Sequence, residues 1–246
     1  MRSCVIIPAR YSSTRFPGKP LVPLLGKPMI LWVAELSASA VGGENVFVAT
    51  EDQRIAQVVQ EAGYSALITR PDALTGTDRL AEAAKMIDYD IYVNVQGDEP
   101  MVEPEDIKRC IELKTANPDM IVNGYCWIGR DEDAASVNIP KVIANEAGTM
   151  VYMSRTLVPG HKEKKNAPAR YKKQVCIYGF SREELVAFAD FGRKSELEKS
   201  EDIEILRYLE LGRRVLMYEC APGSLAVDVP DDVCKVEKAL SERATT

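Results

Sequence analysis

Four short apolar runs constrain this chain most: 4–7 (CVII), 45–50 (NVFVAT), 65–69 (SALIT) and 90–95 (DIYVNV). They are rich in β-branched residues, and the first shows no polar alternation, so it predicts a strand covered on both faces. Helical patterns separate them. Residues 28–39 read as a helix with Pro28 at its start, and in 52–62 Ile55, Val58 and Val59 share one face before Gly63 ends the run. Residues 78–87 are helical, and Pro104 opens another helix with Glu105 and Asp106 in its first turn, where the helix dipole favours carboxylates. Such alternation predicts an α/β, Rossmann-like fold: a mostly parallel sheet with helices on both faces. Ligands on such sheets bind beyond the carboxyl ends of the strands.

After about residue 120 the pattern loosens. Strands are predicted near 120–128, 141–145, 174–180 and 214–219, a helix near 201–212, and a last helix from Pro230. The polar segment 160–173 reads as an exposed, mobile loop. With no repeat or linker, 1–246 is expected to form one domain, with a less regular lobe at about 120–200.

The net charge of -6 disfavours a nucleic-acid binder. The apolar run at 4–7 is too short for a secretion signal or a membrane span, so a cytoplasmic protein without stable membrane association is expected. Six scattered cysteines with no C-x-x-C pair read as reduced thiols. One histidine, His161, cannot supply a multi-histidine zinc site. Trp32 and Trp127 read as core or interface residues.

Two segments carry chemistry. Residues 8–21 (PARYSSTRFPGKPL) follow the first strand and set Arg10, Arg15 and Lys19 among small and turn-forming residues, a composition suited to wrapping a polyphosphate. Taken alone, the segment also reads as an ordinary solvated loop. No G-x-x-x-x-G-K-[ST] or G-x-G-x-x-G is present, which disfavours a P-loop NTPase and a nicotinamide dehydrogenase. Residues 94–100 (NVQGDEP) place Asp98 just past the strongest strand. Mg²⁺ takes a few carboxylates plus phosphate oxygens and water, a role that suits Asp98, and Asp228 in AVDVPDD is the best second carboxylate. A turn or cap carboxylate is the competing reading of Asp98.

Together PARYSSTRFPGKPL, VAT with Glu51 and Asp52, TGTDRLAEA, VNVQGDEP, YMSRTLVP, IYGF and VDVPDD resemble the CMP-KDO synthetases (3-deoxy-manno-octulosonate cytidylyltransferases) in order and spacing over nearly the whole chain. The resemblance implies a Rossmann-like nucleotidyltransferase with a smaller dimerisation lobe, a homodimer, and a Mg²⁺-dependent transfer from CTP to an acidic sugar. It implies that Pro8, Ala9, Arg10, Ser13, Arg15, Lys19, Thr77, Asp78, Arg79 and Gln96 hold the nucleotide. Arg10, Lys19, Asp98 and Asp228 would carry catalysis, the two aspartates binding the metal. Gln96, Arg155, Gln174, Tyr178, Glu204 and Ile205 would face the acceptor. Thr77 also reads as an N-cap, with Asp78 in the first turn. Two positions depart from the family: Gln174 stands where a histidine is usual, and Ile205 where Glu-Gln would place glutamine. Both swaps alter hydrogen bonding and bear on which acceptor is used: KDO, 8-amino-KDO, another ulosonate or a phosphonate. A catalytically inactive nucleotide-binding relative is the alternative outside enzymes.

Overall fold

Every residue from Cys4 to Ala9 in the first strand, β1 (Ser3–Ala9), is buried, because alternate side chains feed different layers. Cys4 and Ile6 enter one core; Val5, Ile7 and Ala9 enter another. Burying each aliphatic side chain of such a strand stabilises the fold by about 1.5–3 kcal/mol. In the computed structural model, which describes residues 1–12, 16–223 and 225–243, β1 is an interior strand of a mixed sheet.

After β1 come the two-residue strands β2 (Pro23–Leu24) and β3 (Lys27–Pro28), then α1 (Met29–Val41), β4 (Val46–Thr50), α2 (Gln53–Glu61), β5 (Ser65–Ile68), α3 (Gly76–Ala83), β6 (Ile91–Val95) and α4 (Pro104–Ala116). The second half adds β7 (Ile121–Trp127), β8 (Lys141–Ala144), β9 (Met150–Ser154), β10 (Lys172–Phe180), α5 (Arg182–Asp190), α6 (Glu196–Glu201), α7 (Leu206–Glu210), β11 (Val215–Glu219) and α8 (Asp232–Arg243). The main strand order is β11-β7-β10-β6-β1-β4-β5, with the β8–β9 pair attached through β10. β1 runs parallel to β4 and β6, β4 to β5, and β7 to β11. β10 alone among these runs antiparallel to both its neighbours, β6 and β7. The sheet is thus mostly parallel, with one reversed strand near its centre.

Helices cover both faces. Residues of α1, α2 and α4 (Ile30, Val33, Ile55, Val59, Ile107) pack with Val5 and Ile7. Residues of α3, α5 and α7 (Leu80, Leu185, Phe188, Leu206, Tyr208) pack with Cys4 and Ile6. The last helix, α8, buries Val236 and Leu240 against Leu24, Met29 and Val227.

The structure departs from the sequence reading in three places. Of the helix expected at 201–212 only α7 (Leu206–Glu210) forms; a separate helix, α6, precedes it and ends at Glu201, where Asp202 takes a left-handed conformation (φ 50°, ψ 47°). Arg155 holds this turn, its Nε and Nη2 donating to the carbonyls of Glu201 and Asp202 at 2.5 and 2.9 Å. Secondly, β9 and α5 carry no strong sequence signal. Thirdly, the basic loop is shorter than expected, since Lys172 and Lys173 pair within β10. Residues 160–170 are exposed almost throughout, His161 included, with Arg170 stacked 4.1 Å from the Trp127 ring.

Candidate active site

The cleft opens at the carboxyl ends of β1 and β6. Pro8 and Ala9 end β1 and lie in its wall with Arg10 beyond them. The chain then turns back on itself. Gly18 N–H donates to Tyr11 O at 2.9 Å, and Gly18 has φ 71°. A side chain there would be strained by that backbone and would meet the Tyr11 ring at 3.2 Å. This turn delivers Lys19 into the cleft. Ser13 and Arg15 lie outside the described residues.

β6 ends in Gln96, Gly97 and Asp98, all in the cleft wall. A Cβ on Gly97 would sit 3.0 Å from the backbone oxygen of Pro8, so only glycine lets the two strand ends pack this closely. Val227 N–H donates to Asp98 O at 3.0 Å, which ties the late Asp228 segment to the turn after β6. Lys19 Nζ lies 2.5 Å from Asp98 Oδ2 and 4.0 Å from Asp228 Oδ1. Three residues separated by most of the chain therefore meet at one point.

That point suits a divalent cation. The Lys19 ammonium already sits beside both carboxylates and stands where positive charge is wanted. Among the described residues no three His, Cys, Asp or Glu side chains converge as a metal cage. Two carboxylates in an open cleft match Mg²⁺, which keeps water and phosphate ligands.

The N-terminus of α3 forms another wall. The helix is capped by Thr75, whose Oγ1 accepts from Asp78 N–H at 3.1 Å. The expected cap, Thr77, instead uses its hydroxyl and N–H on Glu204, at 2.6 and 2.8 Å, and Gly76 N–H joins them at 3.0 Å. Glu204 thus lines the cleft while neutralising the positive helix end. Asp78 is drawn away from the cleft, binding Arg207 at 2.9 and 3.1 Å. Arg79 lines the cleft but is buried on Glu51 at 2.9 Å.

The residues predicted to face the acceptor divide. Gln96 and Glu204 line the cleft. Gln174 stands behind them on β10, its Nε2 donating to Asn123 Oδ1 and to Tyr178 Oη, both at 3.1 Å. Tyr178 is nearly buried and stacks on Phe180; burial pushes its phenol well above the ordinary range. Arg155 is tied to the carbonyls of Val137, Glu201 and Asp202 behind the wall. Ile205 does not face the acceptor: it is 1% exposed and packs in the core with Ile203, Leu206 and Tyr208, where burial favours an apolar side chain. Four cleft residues escaped the sequence reading: Ala73, Leu74, Lys194 and Asp202. They carry no motif: Ala73 and Leu74 precede α3, Lys194 precedes α6, and Asp202 lies in the break between α6 and α7.

No helix among the described residues is long and apolar enough to cross a membrane. The sequence model of a family described as cytidylyltransferase matches residues 4–215. The chain is 36% identical over 241 residues to the 3-deoxy-manno-octulosonate cytidylyltransferase of Escherichia coli, covering 98% of this chain and 97% of that one. It is 40% identical over 252 residues to the protein of the same name from Trichlorobacter lovleyi, with 98% and 100% covered. It is 37% identical over 249 residues to the 8-amino-3,8-dideoxy-manno-octulosonate cytidylyltransferase of Shewanella oneidensis, with 98% and 99% covered. A solved structure of CMP:2-keto-3-deoxy-manno-octonic acid synthetase complexed with CTP matches with a TM-score of 0.91 at 36% identity, over 99% of this chain and 100% of that one. On the family match and these relatives, this chain belongs to the cytidylyltransferase family.

Proposed function

We propose that this protein joins CTP to a 2-keto-3-deoxy sugar acid, KDO or a close variant such as its 8-amino form, giving the CMP-sugar and pyrophosphate. One observation carries the reading: Lys19, Asp98 and Asp228 meet at the open ends of β1 and β6. Relatives at 36–40% identity acting on both acceptors support it, as their names state.

The anomeric hydroxyl attacks the α-phosphorus in line, its oxygen forming the new P–O bond as the bond to pyrophosphate breaks. The protein does little covalent work in such a transfer; it positions two anions and neutralises charge. Arg10 and Lys19, with Ser13 and Arg15, serve the triphosphate. The α3 wall, with Arg79 fixed by Glu51, shapes the nucleoside side. Gln96 and Glu204 face the acceptor, backed by Gln174 and Tyr178. Asp98 and Asp228 would hold Mg²⁺, which supplies charge neutralisation at phosphoryl oxygens and acidifies the attacking hydroxyl. The working form is taken to be a cytoplasmic homodimer that binds neither nucleic acid nor membrane. Exposed Val137, Val151 and Leu157 around the β8–β9 pair offer apolar surface for that contact.

A pyrophosphate-release assay with CTP, Mg²⁺ and a panel of 2-keto-3-deoxy acids tests the reading. Turnover is expected with KDO or its 8-amino variant, and Asp98→Asn is expected to remove nearly all of it with the circular dichroism spectrum unchanged. Silence with every acidic acceptor, or an Asp98→Asn variant that keeps most of its turnover, refutes it.

A further inference from the structure

Lys194 and Asp202 both line the cleft, and the reaction outlined above leaves them without a task. Lys194 Nζ donates to Asp202 Oδ1 at 3.1 Å. The side chains are 35% and 72% exposed. Water screens such a pair and two flexible side chains lose freedom in making it, so it is easily exchanged.

Other cations in or beside the cleft are held more firmly. Arg79 is buried on Glu51, Lys19 sits 2.5 Å from Asp98, and Arg155 is fixed on three carbonyls behind the wall. Arg10 belongs to the loop after β1. The segment 194–204 therefore brings its own cation, Lys194, into the cleft beside Glu204. Its partner is placed deliberately. The left-handed backbone of Asp202 is unusual for a residue with a Cβ, and it persists because Arg155 clamps the turn.

We propose that Lys194 is a specificity-determining residue that recognises the acceptor's carboxylate, leaving Asp202 to do so. The proposal rests on the acidic-acceptor reading above. An ammonium already hydrogen-bonded to one carboxylate is positioned to receive another, and charge-assisted hydrogen bonds of this kind are strong and directional. Asp202 then acts as an internal competitor that holds Lys194 in place and discriminates against acceptors lacking an acid group.

Steady-state pyrophosphate release by the full chain, with CTP and the acceptor varied in turn, separates the possibilities. KDO and its 8-amino variant serve as acceptors. Lys194→Met is expected to raise the acceptor's KM about ten- to a hundredfold, the range of one hydrogen bond to a charged group. Asp202→Asn is expected to lower it several-fold, because it removes the competitor. The KM for CTP and the melting temperature should hardly change in either variant. Opposite signs are the signature, since a pair serving structure alone would shift both variants in one direction together with their stability. Equal effects, effects of the same sign, or a Lys194→Met change confined to CTP overturn the proposal. If the unmodified chain turns over no acidic acceptor, the underlying reading fails and the proposal falls with it. If it does turn one over and Lys194→Met is silent, the proposal alone fails.

Discussion

Replacing Arg207 by methionine should destabilise the protein severely, for a reason that can be isolated. The Arg207 side chain is fully buried. Nε and Nη2 donate to the two oxygens of Glu198, each at 2.7 Å. Nη1 and Nη2 donate to the two oxygens of Asp78 at 2.9 and 3.1 Å, and Nη1 also reaches Phe188 O at 3.1 Å. The five N–H groups of a guanidinium are thus all used. Methionine keeps much of the aliphatic stem and removes the charge. Glu198, only 1% exposed, is then left as a buried anion, and its remaining donor shown here is Ser195 N–H at 2.9 Å. Removing one partner of a buried ion pair costs about 3–5 kcal/mol. At about 2–4 °C per kcal/mol for a chain of this size, the melting temperature should fall by roughly 6–20 °C. Calorimetry checks the size, and a double variant checks the cause. Arg207→Met combined with Glu198→Gln removes the stranded charge and should recover part of the loss. A double variant no more stable than Arg207→Met, or a single variant melting within about 2 °C of the parent, would show that the unpaired carboxylate is not what matters.

Gly97→Ala should lower turnover about tenfold at a stability cost of about 1 kcal/mol, because the new Cβ meets the fixed backbone oxygen of Pro8 and parts the two strand ends that form the site; unchanged kinetics with CTP would count against that packing. Burial by itself would raise the Glu201 carboxyl, but donation from Arg155 N–H, Ser154 Oγ and Tyr152 Oη outweighs it and holds the group below the ordinary range. Its stabilising contribution is then complete above the unfolded value, about 4.3, and fades as pH falls through the folded one. Urea melts across acid pH should therefore show a deficit for Glu201→Gln that is largest near neutrality and shrinks below about pH 4; a constant deficit contradicts the linkage. Burial pushes the Cys110 thiol up to about 12 and Cys126 up to about 11, while Cys234 is exposed. A thiol reagent at neutral pH should modify Cys234 first, so Cys234→Ser should abolish the fast phase of labelling.

The half of the molecule that follows the first strand was largely legible before the structure. Its strands are continuous apolar runs, and its loops carry Arg10, Lys19 and Asp98 directly after them, so the βα pattern locates them by itself. Asp228 was legible for a different reason: Asp231 and Asp232 fell at the start of a helix, leaving one carboxylate before it. Residues whose placement depends on distant partners were not legible. Thr75 and Thr77 fit an N-cap pattern equally well, and the choice is made by Glu204, 127 positions from Thr77 in sequence. No periodicity reports that Arg155 takes the carbonyls of Glu201 and Asp202. That contact sits at the turn between α6 and α7, where Asp202 lines the cleft and Ile205 lies in the core.

The reversed strand β10 has a consequence for how such an enzyme changes its preference. Its pairing with β6 runs from Phe180 opposite Tyr92 to Ile177 opposite Val95, so residues 172–176 continue past the point where β6 stops. Running the other way, the strand carries its beginning, not its end, past the end of β6 and behind the cleft wall. That stretch shares no loop with the segments after β1 and β6, yet it is bonded to the second of them: Gln96 N–H donates to Cys176 O, and Cys176 N–H to Glu99 Oε1. A substitution at Gln174 or Cys176 would therefore reach the cleft through Gln96 and the turn after β6, and a library confined to those positions tests whether a change behind the wall alters which acceptor is used.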